Sequence, residues 1–97
     1  MSKNAIAYVT RIGFVDPIPI STKNSSNFVL AFSFASFDPV KVRQEFGKHL
    51  KFSNDGIFIF KMAPDRAARV NTEKKTLLLV SGRNSVNKLV KRRKKHA

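Results

Sequence analysis

The chain has 97 residues, and its 19 lysines and arginines against six acidic residues give a formal net charge of +13. This length favours one compact domain, and a hydrophobic content of 42% excludes a wholly disordered basic segment. Because cysteine is absent, disulfide scaffolds, cysteine-ligated zinc sites and thiol catalysis are excluded, and we expect a reducing compartment.

Two strands are predicted in the first forty residues. Residues 5–15 show a period of two, and prolines and a Ser/Asn-rich loop follow them. The apolar positions of this first strand are Ile6, Tyr8, Ile12 and Phe14. Residues 27–37 predict the second strand, whose large and small side chains alternate. Its large side chains are Phe28, Leu30, Phe32 and Phe34.

A helix is predicted to begin at Asp38 and Pro39, because Asp accepts from free amides at an N-cap and Pro suits the first helical turn. Gly47 is expected to weaken or end this helix. The predicted apolar stripe consists of Val42, Phe46 and Leu50.

The rest of the chain predicts two strands and a final helix. Asp55-Gly56 indicates a tight turn into a strand at residues 57–60, and residues 64–75 are interpreted as a basic loop. The apolar run at residues 76–80 predicts a buried central strand. Asn84 or Ser85 is expected to cap a helix that buries Val86, Leu89 and Val90.

The predicted order β-β-α-β-β-α indicates an α+β fold. We expect a small single-layer sheet, mixed or antiparallel, of about four strands with two helices packed on one face. Residues 1–90 form the domain in this prediction, and residues 91–97 form a basic C-terminal tail.

The positive charge is concentrated in the second part of the chain. Residues 1–40 carry a net charge of +1 and residues 41–97 a net charge of +12. Contiguous cations without acids neutralise phosphates and release counterions, so we predict a nucleic-acid contact at the C-terminus. Its predicted residues are Arg83, Lys88, Lys91, Arg92, Arg93, Lys94 and Lys95. A solubility tail, a nuclear-localisation signal and an anionic-lipid anchor remain alternatives.

A second predicted contact is a basic hairpin loop between the last two strands, of the kind that enters a nucleic-acid groove; an ordinary exposed loop is the alternative. Its residues are Lys61, Arg66, Arg69, Lys74 and Lys75. Residues 81–85 predict either a helix cap or a contact to one backbone phosphate.

The phenylalanines of residues 27–37 resemble the aromatic strand of RNA recognition motifs, in which sheet-face rings stack on bases. The basic-Gly lead of that family is absent, and no Lys or Arg interrupts this stretch. Core packing is therefore the favoured interpretation of these rings. The exposed edge of the same strand is a candidate for pairing with a second copy of the chain.

Enzyme chemistry has little support in the sequence. His49 and His96 lack a second ligand at metal spacing, and the acids are scattered, so we expect neither a metal nor a cofactor. Residues 75–83 loosely resemble the late strand and Gly-Arg turn of RelE-type toxins. That resemblance implies mRNA cleavage on the ribosome, with Arg and Lys stabilising phosphate charge. Those toxins have a helical hairpin after their first strand, where this chain has prolines and a Ser/Asn loop.

The favoured prediction is a nucleic-acid-binding protein, with RNA favoured over DNA, that contacts phosphates as a ribosomal or other ribonucleoprotein component. The alternatives are a viral or plasmid DNA-binding protein, then the RelE-like ribonuclease, and then a basic module that binds or inhibits an acidic protein. No apolar stretch long enough to span a membrane and no signal-peptide pattern is present. We therefore expect a cytoplasmic, organellar or viral location, without secretion.

Overall fold

The computed structural model describes residues 2–20 and 28–94. Within these ranges the chain forms three α-helices and eight strands. In chain order they are α1 (Ser2–Arg11), β1 (Phe14–Val15), β2 (Ile18–Ile20), β3 (Phe28–Ser33), β4 (Ser36–Phe37), α2 (Pro39–Phe46), β5 (Leu50–Asn54), β6 (Ile57–Ala63), β7 (Arg66–Asn71), β8 (Thr76–Ser81) and α3 (Arg83–Lys94). A 3₁₀ turn, Gly47–His49, links α2 to β5.

Six strands form one antiparallel sheet in the order β2-β3-β8-β7-β6-β5, and β1 pairs with β4 in a separate two-stranded sheet. Strands β5 to β8 form a meander, and β3 then pairs with β8 along its whole length. The prediction of about four strands and two helices in the order β-β-α-β-β-α is therefore wrong. Among the described residues, β3 has β8 on one side along its whole length and β2 on the other side at Ala31–Ser33, so over these three residues it is internal. The edge strands of this sheet are β2 and β5.

The first error is α1, which lies where the sequence predicted a strand. Apolar residues at positions 5, 8, 9 and 12 also follow the helical spacing i, i+3, i+4, i+7. Val9 decides between the two periods, because it is 0% exposed although it falls on the other face of the predicted strand. The helix is followed by Gly13 at φ +118°, where an added Cβ would come within 2.9 Å of Lys41 Cβ.

The second error is β7, which forms within the segment predicted to be a basic loop. Ala67 and Ala68 are both buried, on opposite faces of the sheet, so small side chains are required where layers pack on both sides. The turns lie at residues 64–65 and 72–75 instead. In the second turn the Asn71 side chain accepts from the amides of Glu73 and Lys74 at 3.1 and 3.0 Å.

Several local predictions are confirmed. Asp38 caps α2 by accepting from the amides of Val40 and Lys41, and the helix ends before Gly47. Asp55 and Gly56 adopt φ values of +53° and +77° in the turn that joins β5 to β6. Strand β8 is internal, and α3 buries Val86 and Leu89. Leu50, predicted for the helical stripe of α2, lies in β5 and is 46% exposed.

Helices cover both faces of the six-stranded sheet, so the prediction that they share one face is also wrong. Side chains from α1 and α2 pack on one face with Phe60, Ala68 and Leu77. Side chains from α3 pack on the other face with Ile59, Ala67 and Val80. We call these the α1/α2 layer and the α3 layer, each comprising its helices and the sheet face beneath them.

The expected core role of the aromatic strand is confirmed for Phe32 and Phe34, which are 2% and 5% exposed. Phe34 lies beside Phe14, with ring centroids 4.8 Å apart. The side chain of Phe28 lies outside the described part of the structure. These rings belong to the α1/α2 layer and are not available for stacking on bases.

Candidate nucleic-acid interface

Helix α3 is held on the sheet by a short apolar stripe. Val86 is 0% exposed and Leu89 is 8% exposed, and both pack with Ile59 and Val80. Their i, i+3 spacing places them on one side of the helix, which leaves the opposite side to the polar residues. The helix extends through Lys94, so positions 91–94 continue the packed helix. The basic positions 91–94 therefore belong to a helix whose first two turns pack against the core.

The α3 layer carries many cations. Arg83 and Lys88 are exposed on α3, and the backbone positions 91–94 that follow are also Lys or Arg. Lys61 and Arg69 lie half-buried on the sheet face that α3 covers, since Lys61 pairs with Ala67 and Arg69 with Ile59. Arg69 also takes part in an interaction within the fold.

No acidic residue lies in α3 or in any strand of the described ranges. Two of the six acids belong to α2, where Asp38 caps the helix and Glu45 accepts a hydrogen bond from the Tyr8 hydroxyl at 3.1 Å. The other four lie in turns, at Asp16, Asp55, Asp65 and Glu73. In the described ranges, α3 and the strand residues that face it therefore carry cations and no acid, and the nearest acid shown is Asp65, in the turn that contacts Gly82 just before α3.

The second predicted basic set does not form one hairpin tip, because β7 runs through the segment that was expected to be a loop. Lys61 and Arg69 lie on the α3 side, but Arg66 points to the opposite face of β7, because side chains alternate along a strand. Lys74 and Lys75 are exposed in the β7–β8 turn, at the opposite end of β7 from Arg66. The structure thus adds Lys61 and Arg69 to the surface of α3 and separates the other three from it. Lys95 lies outside the described residues.

The turn before α3 is used within the fold. Gly82 donates its amide to the Asp65 carbonyl at 2.8 Å, and its own carbonyl accepts from Val86 at 3.0 Å. Gly82 therefore uses both its amide and its carbonyl within the fold. The prediction that Asn84 or Ser85 caps the helix is wrong, because both lie inside its first turn. The Ser85 hydroxyl is buried and has no hydrogen-bond partner among the described residues.

A polar cluster around Tyr8 was missed by the sequence interpretation, which treated this residue as a strand aromatic. The Arg11 guanidinium lies 5.5 Å from the centre of the Tyr8 ring, and Glu45 accepts from its hydroxyl. Burial, together with the charge and hydrogen bond of Glu45, raises the pKa of Tyr8 to about 12, although Arg11 and Arg66 act in the opposite direction. Arg66 is therefore close enough to Tyr8 for its charge to act on the hydroxyl, on the α1/α2 side of the sheet.

The described residues bring no three His, Asp or Glu side chains together in a group that could hold a metal ion. In those ranges β1 is followed directly by β2, where RelE-type toxins have a helical hairpin. No helix within residues 2–20 and 28–94 is long and apolar enough to cross a membrane.

No protein-family model matches this chain, and no curated protein or solved structure is significantly similar to it.

Proposed function

We propose that this protein binds nucleic acid through the α3 layer, mainly by contacts to phosphates. RNA is the favoured polymer, because a small domain combined with a basic segment is typical of ribonucleoprotein components. The observation that carries the proposal is the charge of this layer: α3 contains six Lys or Arg residues and no acid. A polyanion is the partner that such a surface attracts.

The way in which α3 is held supports a contact made by a positioned helix. A flexible basic tail loses conformational entropy when it becomes ordered on binding. Helix α3 avoids much of this loss, because it is already helical and packed through Val86 and Leu89. Lys88 and the backbone positions 91 and 92 follow the spacing i, i+3, i+4, which places them on one side of the helix. Phosphates of one nucleic-acid strand can therefore be contacted along a single helical surface.

The proposal assigns little base readout to this surface. Six of the 12 residues of α3 are Lys or Arg, and the buried aromatic rings lie in the other layer. Cations position a protein on the sugar-phosphate backbone without reading the sequence. Affinity is therefore expected to depend strongly on salt and weakly on base sequence.

A binding titration tests this proposal. The dissociation constants for single- and double-stranded RNA and DNA of about two helical turns would be measured at low and physiological salt. We expect binding that weakens steeply with salt, with a slope of about −0.9 per phosphate contacted on duplex DNA and about −0.7 on single strands. The preferred polymer among the four then identifies the natural class of partner.

A matched pair of double variants localises the site. Arg83→Gln with Lys88→Gln removes two cations from α3, and Arg43→Gln with Lys41→Gln removes two exposed cations from α2. The α3 variant is expected to lower the salt slope by about 1–2 units, and the α2 variant to leave it unchanged. Equal losses in both would contradict the assignment to α3, and a slope near zero for the parent protein would end the proposal.

The same samples separate this function from the alternatives. RNA that remains intact during the titration agrees with binding alone, whereas cleavage that is lost in Arg83→Gln favours the ribonuclease. A partner that survives nuclease treatment in a co-purification favours a protein-binding module. Loss of the co-purified material after nuclease treatment supports nucleic acid.

A further inference from the structure

A cleft of about 600 Å³ opens in the α1/α2 layer, on the sheet face opposite α3. It lies between α2 with its following 3₁₀ turn and the strands β6 and β7. Most of its lining is apolar, and includes Phe37, Pro39, Val42, Leu50, Phe58 and Val70. This volume is in the range of pockets that bind small organic molecules. The cleft is therefore large enough for a ligand with a substantial apolar body.

Two cations give the cleft a charge preference. Arg43 and Lys48 line it, and both side chains are exposed, so they stand at its solvent side. No acidic residue is present in the lining. A guanidinium and an ammonium group beside an apolar cavity complement a ligand that has one anionic end.

Besides Arg43 and Lys48, the lining contains one polar side chain, Thr72, and this limits the kind of ligand that the apolar part of the cleft can accept. The Thr72 hydroxyl donates to the Gly56 carbonyl at 2.9 Å, so its hydrogen is already used. A nucleobase in the cleft would bury several donors and acceptors without partners, which is costly. An aliphatic chain has no such groups. The lining of the cleft therefore favours a ligand with a hydrocarbon chain over a nucleobase.

We propose that this cleft binds an amphipathic carboxylate, with its hydrocarbon chain against Phe58 and Leu50 and its carboxylate on Arg43 and Lys48. This site is separate from the α3 layer and does not depend on nucleic-acid binding. Arg43 recognises the carboxylate by paired N–H donors, and Lys48 adds a second positive charge.

Isothermal titration with dodecanoate at physiological salt tests the site. We expect a 1:1 complex, because the cleft accepts one chain, whereas general attraction to a protein of charge +13 gives many weak sites. Dodecyltrimethylammonium has a similar chain and the opposite charge, and should bind at least about tenfold more weakly. Acetate, which has the charge without the chain, should not bind measurably.

Two variants and their controls localise the complex. Arg43→Gln should weaken dodecanoate about tenfold, and Leu50→Glu, at a half-exposed lining position, should repel it to a similar degree. Lys41→Gln and Val40→Glu change exposed positions of α2 outside the lining and should leave affinity unchanged. Circular dichroism of each variant shows whether the fold is retained, and Arg43→Gln alters only an exposed side chain.

Several results would overturn the proposal. These are the absence of dodecanoate binding, equal affinity for the ammonium analogue, and equal losses in variants and controls. Binding to vesicles of anionic phospholipid without binding to free dodecanoate would also overturn it, because it would indicate a surface contact with membranes. Failure of the RNA titration leaves this test unaffected, since the variants of the two sites lie on opposite faces of the sheet.

Discussion

The two faces of the six-stranded sheet bury different side chains and carry different charges. The α1/α2 layer contains packed aromatic rings, with Phe46 and Phe60 5.1 Å apart and Phe14 fully buried. The α3 layer buries smaller aliphatic side chains, among them Ala67, Val80 and Val86. Acids accompany the cations of α2, whereas α3 and the described strands contain none.

This difference indicates that the α1/α2 layer mainly stabilises the domain and that the α3 layer mainly presents the binding surface. Aromatic side chains bury the most apolar area, so most of the stability is expected from the α1/α2 layer. The α3 layer needs only enough apolar contact to hold its helix in place. Variants on the two faces should therefore separate stability from binding.

The largest expected effect is on stability, and it comes from the aromatic layer. Phe46→Ala should lower the free energy of unfolding by about 3–5 kcal/mol, because Phe46 is 0% exposed and packs against Phe60. Leu89→Ala on α3 should cost less, about 2–3 kcal/mol. Urea unfolding measures both. A larger loss in Leu89→Ala would reverse the proposed division between the layers.

A change in the β5–β6 turn should destabilise the whole domain without removing a cation from either layer. Gly56→Ala places a Cβ at φ +77° within 2.9 Å of the Thr72 hydroxyl oxygen, and should cost about 1–3 kcal/mol. Asp55→Gly, at φ +53° in the same turn, is the matched control and should be nearly neutral or slightly stabilising. RNA affinity measured on folded protein should stay unchanged in both. A selective loss of RNA binding in Gly56→Ala would mean that this hairpin belongs to the interface.

Removal of residues 91–97 should weaken polyanion binding severalfold or more while the domain still folds. This deletion removes five of the cations that follow the buried stripe of α3, whereas Val86 and Leu89 remain in place. Deletion of residues 95–97 alone removes one cation and serves as the control. Fluorescence anisotropy with labelled RNA measures the affinities. Unchanged binding in the longer deletion would move the site toward Lys61 and Arg69.

The smallest effect is a pH dependence confined to the α1/α2 layer. Because the pKa of Tyr8 is raised from 10.0 to about 12, the folded state keeps this proton when the unfolded state has lost it. The stabilisation by the neutral phenol is fully present below pH 10 and is lost progressively as the pH rises toward 12. Thermal unfolding should therefore show a steeper fall over this window in the parent protein than in Tyr8→Phe. Parallel curves for the two proteins would contradict the raised pKa.

Sequence patterns predicted the elements whose signals are local. The cap formed by Asp38, the turn at Asp55 and Gly56, and the apolar run of β8 each depend on residues close together in the chain. Helix α1 was misinterpreted because positions 6, 8, 12 and 14 also fit a strand, and only the burial of Val9 separates the two periods. Strand β7 has no apolar run, and it is a strand because β6 and β8 pair with both of its sides.

The candidate site divides in the same way. The concentration of cations in residues 83–95 follows from the sequence alone, as does the absence of acids among them. The α2 cleft was not predicted, because Arg43, Leu50, Phe58 and Val70 come from separate elements. The split of the second basic set was not predicted either, since it depends on which residues of β6 and β7 are paired.

The sequence by itself determined where the charge lies along the chain and where α2, β8 and α3 form. Those features depend on interactions within a few residues, such as caps, turns and apolar stripes. The tertiary structure alone decided which face each helix covers and which cations share a surface. That choice depends on the pairing of distant strands, and a strand's side chains alternate between faces according to its register. Lys61 and Arg69 therefore join α3, while Arg66 lies on the other side of the sheet.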